Sequence, residues 1–117
     1  MSYQPGMHIV AELHSEQTTV LSNFSSLKAF LDRAIPAYGL INLGEVYHNF
    51  NPGGFTAVIC LSESHLSFHT WPEYSRVNMD IYLSNYQRNN DNTGQQLFAE
   101  IVEFFSATII AQQQLKR

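Results

Sequence analysis

Cysteine is almost missing from this chain. Cys60 is the only one, so no intrachain disulfide can form and a small secreted scaffold held by bridges is excluded. Charge is sparse as well, at 14% of residues, with six Lys and Arg against ten Asp and Glu. The resulting net charge of −4 argues against binding to a phosphate backbone. No apolar run approaches the roughly 20 residues that a membrane-spanning helix needs. The opening Met1-Ser2-Tyr3-Gln4-Pro5-Gly6 lacks the basic start and apolar centre of a secretory signal. Together these absences lead us to expect a cytoplasmic protein.

What is present is apolar. Hydrophobic residues make up 44% of the 117, eight Phe and six Tyr among them, which suits a packed core and excludes disorder. The length fits one domain spanning 1–117, with so little interior that burying another face by association would help it. A mild acidic balance suits a cationic small substrate.

Residues 8–14 alternate, with Ile9, Ala11 and Leu13 on one side, and predict a half-buried strand. From Asn23 the period lengthens: Phe24, Leu27, Leu31, Ala34, Ile35 and Tyr38 fall at helical spacing. Pro36 predicts a broken or kinked last turn, and Gly39 suits the stop. Residues 40–50 read as extended, and Asn51-Pro52-Gly53-Gly54 is a strong turn signal. Residues 55–61 form a nearly unbroken apolar run, which predicts a strand covered on both faces with Cys60 inside the core. Two short strands follow near 66–70 and 77–83, separated by a corner at Pro72. Thr93-Gly94-Gln95-Gln96 fits a capping box, after which Leu97, Ile101, Phe104, Phe105, Thr108 and Ile109 predict one helix ending near Gln112. The expected fold is α+β: a two-layer sandwich, an antiparallel sheet with two helices on one face. Two helices cover one face only, so the apolar run 55–61 predicts a homodimer packed sheet to sheet, an αββα arrangement.

The chemistry concentrates in Glu63-Ser64-His65-Leu66-Ser67-Phe68-His69-Thr70-Trp71-Pro72-Glu73. Taken alone, Glu63, Ser64 and His65 fit a polar turn between strands. A hydrolase pairing of Ser64 with a histidine is the sharper reading, but the small-residue elbow Gly-x-Ser-x-Gly is lacking. His65 and His69 are four apart, with His8 or His14 in reach from the first strand. That spacing persuades for zinc on a helix rather than on a strand, so no metal is expected.

In register across these eleven positions, this segment resembles the self-cleavage and active-site segment of the prokaryotic S-adenosylmethionine decarboxylases. His8-Ile9-Val10-Ala11-Glu12, Phe50, the Pro-Gly turn and Thr56 extend the resemblance over residues 8–85. It implies a pyruvoyl-dependent proenzyme supplying the aminopropyl donor for spermidine synthesis. Cleavage would fall between Glu63 and Ser64, giving chains 1–63 and 64–117, and Ser64 would become the pyruvoyl cofactor, on which a substrate amine condenses. His69 would move protons during processing, and Thr56 stands where the family often has a serine that holds the cyclic intermediate. Phe50 would stack on adenine and Glu73 would grip the ribose hydroxyls. The plainer readings of Phe50 and Glu73 are core packing and an exposed carboxylate after Pro72. The proton donor of the family is a cysteine, and this chain has Ser84 at that position. Two alternatives therefore stand beside the main reading. One is a pyruvoyl-dependent decarboxylase of another amino acid, ornithine or arginine; the other is an unprocessed, non-catalytic homologue.

Overall fold

The computed structural model describes residues 3–86 and 88–117. Its elements follow the chain as β1 (Met7–His14), α1 (Thr18–Ser22), α2 (Ser25–Ala37), β2 (Asn42–Asn49), β3 (Phe55–Leu61), β4 (Ser64–Trp71), β5 (Arg76–Leu83), α3 (Asp91–Phe104) and β6 (Thr108–Lys116). A single 3-10 turn, Pro72–Tyr74, makes the corner between β4 and β5. The six strands form one sheet in the order β2-β3-β4-β5-β1-β6, antiparallel throughout.

Alternation along each strand decides which face is covered. Ile9, Ala11 and Leu13 of β1, Phe55, Ala57, Ile59 and Leu61 of β3, Leu66 and Phe68 of β4, and Val77, Met79, Ile81 and Leu83 of β5 are all buried. They meet the apolar stripes Leu27, Leu31, Ala34 and Ile35 of α2 and Leu97, Phe98 and Ile101 of α3 in one core. Stacked rings of Phe30 and Phe104, 4.8 Å apart, close the seam between the two long helices. The expected two-layer sandwich is therefore present, with α1 as a short addition. No helix among the described residues is long and apolar enough to cross a membrane.

The opposite face of the sheet is open within one chain. Val58 is exposed, as is Cys60, which corrects its expected place in the core. The run 55–61 alternates in its burial after all; apolar residues at its outward positions had hidden the period.

Two further corrections concern the last third. The helix expected to reach Gln112 ends at Phe104, and residues 108–116 pair with β1 as an edge strand. Ser106, with φ of 49°, turns the chain out of the helix, and Thr108 and Ile109 had matched the helical period by coincidence. Three β-branched residues in a row, Thr108, Ile109 and Ile110, favour a strand, and the free edge of β1 receives it. The helix also starts at Asp91, not at a capping box beginning with Thr93. Asn85 and Asn89 instead accept from the backbone N–H groups of Asn90 and Asp91. At the end of α2, Pro36 stays within the helix, whose final turn closes by Tyr38 N–H to Ala34 O at 3.1 Å and Gly39 N–H to Pro36 O at 2.9 Å.

The turn before β3 is fixed by one glycine. Gly54 sits at φ of +95°, and a Cβ there would come within 2.9 Å of Thr70 O and 3.2 Å of Pro72 Cδ. The neighbouring Thr70 is buried, accepting from Phe55 N–H and donating to Leu21 O, so the obstacle cannot yield. Gly54→Ala is expected to cost on the order of 1–3 kcal/mol. A melting temperature lowered by at least about 5 °C checks this; an unchanged one contradicts it.

Candidate active site

Strands β3 and β4 are joined by only two residues, Ser62 and Glu63, and Leu61 pairs directly with Ser64. The tight connection leaves Ser64 with φ of 131°, a region that residues with a Cβ rarely occupy. Holding a serine there costs on the order of 1–3 kcal/mol, and such strain clusters at functional sites. The carbonyl oxygen of Glu63, immediately before it, accepts a hydrogen bond of 2.8 Å from the backbone N–H of Ser84. Three of the expected residues, Glu63, Ser64 and Ser84, are thus brought together by the turn and the end of β5.

Glu63 is held at its side chain as well. Arg88 grips the carboxylate with both arms of its guanidinium, Nε to Oε2 at 3.0 Å and Nη2 to Oε1 at 2.8 Å. Asn90 donates to the same Oε2 and, at 2.9 Å, to Ser84 O. The Arg88 guanidinium keeps the Glu63 carboxyl below the usual carboxylate range, outweighing burial, and the Asn90 amide adds to it. A hollow of about 580 Å³ opens beside this group, lined by Ile41, Ser62, Glu63, Ser84, Tyr86 and Arg88.

The remaining expected residues gather at the other end of the same hairpin. Thr56 and His69 face each other across β3 and β4, Thr56 Oγ1 lying 3.1 Å from His69 Nδ1. A cleft of about 340 Å³ is lined by Phe50, Pro52, Thr56, His69, Trp71 and Glu73 among others. Phe50 is exposed, so its aromatic face is free for stacking rather than spent on the core. Its ring meets His48 edge-on, with centroids 4.7 Å apart. Glu73 enters from the 3-10 turn after Pro72.

Within one chain these two halves do not meet. Ser64 and His69 lie five residues apart on one extended strand, about 16 Å at the usual rise. The resemblance gives His69 a part in the cleavage at Ser64, and within one chain the strand keeps the two apart.

Between the halves, on the open face, lies a polar cluster that takes in His8 and His65 of the histidines weighed for zinc, joins them to Asp80 and leaves out His69. His8 Nε2 and His65 Nε2 each lie 3.0 Å from Asp80 Oδ2, and Ser67 donates to Asp80 Oδ1. Burial alone would raise the Asp80 carboxyl, but the hydrogen bonds from Ser67, His8 and His65 outweigh it and hold it below its ordinary value. Ligand atoms of His8, His65 and Asp80 lie within 4.8 Å of one another, compact enough for a metal ion. However, Arg117 Nη1, which can only donate, lies 3.2 Å from His8 Nδ1. With that donor against Nδ1, Nε2 is the atom of His8 that donates to Asp80, which leaves no lone pair there for a metal. We read the cluster as a closed hydrogen-bond network that orients His65, the neighbour of Ser64.

The family model for S-adenosylmethionine decarboxylase matches residues 7–117, nearly the whole chain. The chain belongs to the S-adenosylmethionine decarboxylase family. The match includes β6, beyond the span over which the sequence alone carried the resemblance. The chain is 32% identical to the S-adenosylmethionine decarboxylase proenzyme of Picrophilus torridus, over all of its own length and 87% of that protein. It is 38% identical to the proenzyme of Archaeoglobus fulgidus over 77 residues, which are 66% of this chain and 69% of that one. The crystal structure of the adenosylmethionine decarboxylase from Aquifex aeolicus superposes with a TM-score of 0.80, covering 99% of this chain and 91% of that one. At 22% identity, that likeness speaks to the fold. The family as a whole depends on a pyruvoyl group.

Proposed function

We propose that this chain is a proenzyme that cuts itself between Glu63 and Ser64 and then decarboxylates S-adenosylmethionine. The observation that carries the proposal is the Glu63 carbonyl held on the Ser84 N–H, directly before a serine at φ of 131°. Ser64 Oγ attacks the Glu63 carbonyl carbon, and the oxyanion that develops sits on the Ser84 N–H, the donor geometry such a charge requires. The peptide C–N bond breaks as the ester forms, which frees the Ser64 amine and releases the backbone strain. Loss of the Ser64 Cα proton then expels the Glu63 carboxylate from Cβ, leaving chain 1–63 and a dehydroalanine at position 64. Water replaces its nitrogen, ammonia leaves, and Ser64 has become a pyruvoyl group at the head of chain 64–117.

His69 is the base and acid of these transfers, since imidazole changes charge near neutral pH, and Thr56 fixes its ring. Because the two halves lie at opposite ends of the hairpin, His69 serves the Ser64 of a second copy. Two chains packed open face to open face about a two-fold axis place the His69 end of one hairpin over the Ser64 end of the other. The same packing covers Val58 and Cys60.

The pyruvoyl group supplies an electron sink for loss of carbon dioxide from a bound amino acid. Around it, the chain's own residues bind and orient the substrate. Phe50 offers a face to the adenine and to the sulfonium cation, and the Glu73 carboxylate accepts from the ribose hydroxyls. Ser84, beside the Glu63–Ser64 junction, holds the proton for the substrate carbon. A hydroxyl there in place of a thiol favours one second reading, decarboxylation of ornithine or arginine. Release of labelled carbon dioxide distinguishes the two. S-adenosylmethionine is expected to be turned over in preference to ornithine and arginine, and the opposite preference overturns the main reading.

A further inference from the structure

The Glu63 side chain has no part in the cleavage chemistry, yet three hydrogen bonds from two side chains hold it beside the cut. Both of its oxygens are occupied: Oε1 accepts from Arg88 Nη2, and Oε2 accepts from Arg88 Nε and from Asn90 Nδ2. Arg88 Nη2 is anchored in turn on Gly39 O at 2.9 Å, in the loop after α2. The buried Asn90 holds Ser84 O with the same amide, and its own N–H is tied to Asn85 Oδ1 at 2.6 Å. A partly exposed ion pair adds little to stability, and this one draws on a planar fork, a buried amide and a second loop.

A carboxylate held this way is a poor base, because its pKa is depressed and its lone pairs are engaged. Its position is what the contacts determine. The acyl half of the scissile bond is fixed at three oxygens: two on the side chain, and the carbonyl on Ser84 N–H. Asn90 links the two sets, since it binds both the Glu63 carboxylate and the residue that donates to the Glu63 carbonyl.

We infer that Arg88 and Asn90 are positioning residues for self-cleavage, acting through the Glu63 side chain to hold the scissile carbonyl in line with Ser64 Oγ and on the Ser84 N–H. The inference rests on the proposed cut at Glu63–Ser64. After the cut, Glu63 ends its chain with a second carboxylate, and the same fork keeps that end docked beside the new cofactor. These bonds are as strong before the attack as during it, so their contribution is orientation, where a displacement of about 1 Å costs on the order of 10²-fold in rate.

The test is a double-mutant cycle on the cleavage rate, followed by intact mass from freshly refolded proenzyme. Arg88→Ala and Glu63→Ala are each expected to slow cleavage by roughly 10²-fold with the melting temperature nearly unchanged. The double variant is expected to be no slower than Glu63→Ala alone, because that change already removes everything Arg88 holds at the cut. Guanidinium ion at millimolar concentration is expected to speed Arg88→Ala and leave Glu63→Ala unaffected, a response that loss of folding would not give. Arg88→Lys, with the charge but not the fork, is expected to fall between Arg88→Ala and the parent. A parent-like rate for Arg88→Ala, or multiplying effects in the double variant, overturns the inference. A parent protein that never cleaves overturns the reading beneath it, and the inference falls with it.

Discussion

Mixed in one dimer, a Ser64→Ala chain and a His69→Ala chain are expected to restore the cleavage that neither supports alone. Ser64→Ala has no hydroxyl to attack the Glu63 carbonyl, so that homodimer stays whole. His69→Ala keeps the hydroxyl and loses the proton carrier, which slows cleavage by roughly 10²–10⁴-fold. In the mixed dimer one composite site is intact, built from Ser64 of the His69→Ala chain and His69 of the Ser64→Ala chain. Only the His69→Ala chain is therefore cut. The argument rests on the length of β4: the two residues stand about 16 Å apart on one strand, beyond any side chain's reach. Differently tagged chains, co-purified and weighed by mass, provide the check. Uncut mixed dimers, or a dilution-independent monomer mass by light scattering, contradict the shared site.

Ser84→Cys is expected to raise decarboxylation of S-adenosylmethionine by up to about 10²-fold. Once carbon dioxide leaves, the substrate carbon needs a proton, and a thiol near pKa 8.5 gives one far more readily than an aliphatic hydroxyl. Position 84 is well placed for this, since its backbone N–H already touches the Glu63 carbonyl at the junction where the cofactor forms. The substitution leaves that backbone contact in place, so cleavage is expected at the parent rate. Both proteins are first compared for pyruvoyl content and then for labelled carbon dioxide release. If both are fully processed, no gain with cysteine contradicts a proton-donor role for position 84. Faster turnover of ornithine or arginine would move the assignment to the second substrate reading.

Much of the layout was legible because it is local. The alternation of Ile9, Ala11 and Leu13 and the helical stripe from Leu27 to Ile35 each state which side is buried, and the turn at Gly54 announces itself. What failed was decided elsewhere in the chain. Residues 108–116 became a strand because β1 had a free edge, a fact held by residues 7–14. Cys60 looked internal because its neighbours are apolar, although period two puts it on the open face with Val58.

The site divides in the same way. Ser64, His69 and Glu73 stood in one contiguous segment and Phe50 in the resemblance that extends it, but neither states that Ser64 and His69 lie at opposite ends of a strand. Arg88 carried no signal at all, since its partner Glu63 is 25 residues away and the two intervening strands, β4 and β5, bring them together. Asp80 was visible only as part of β5, and its bonds to His8 and His65 follow from the pairing of three strands.

The central claim is that the chain cuts itself after Glu63, and intact mass of the purified protein under denaturing conditions tests it most directly. The account predicts two species after incubation: residues 1–63 ending in a free carboxylate, and residues 64–117 beginning with a pyruvoyl group, lighter than a serine terminus and without a titratable amine. A single species at the mass of the full 117-residue chain, unchanged on prolonged incubation, would contradict it.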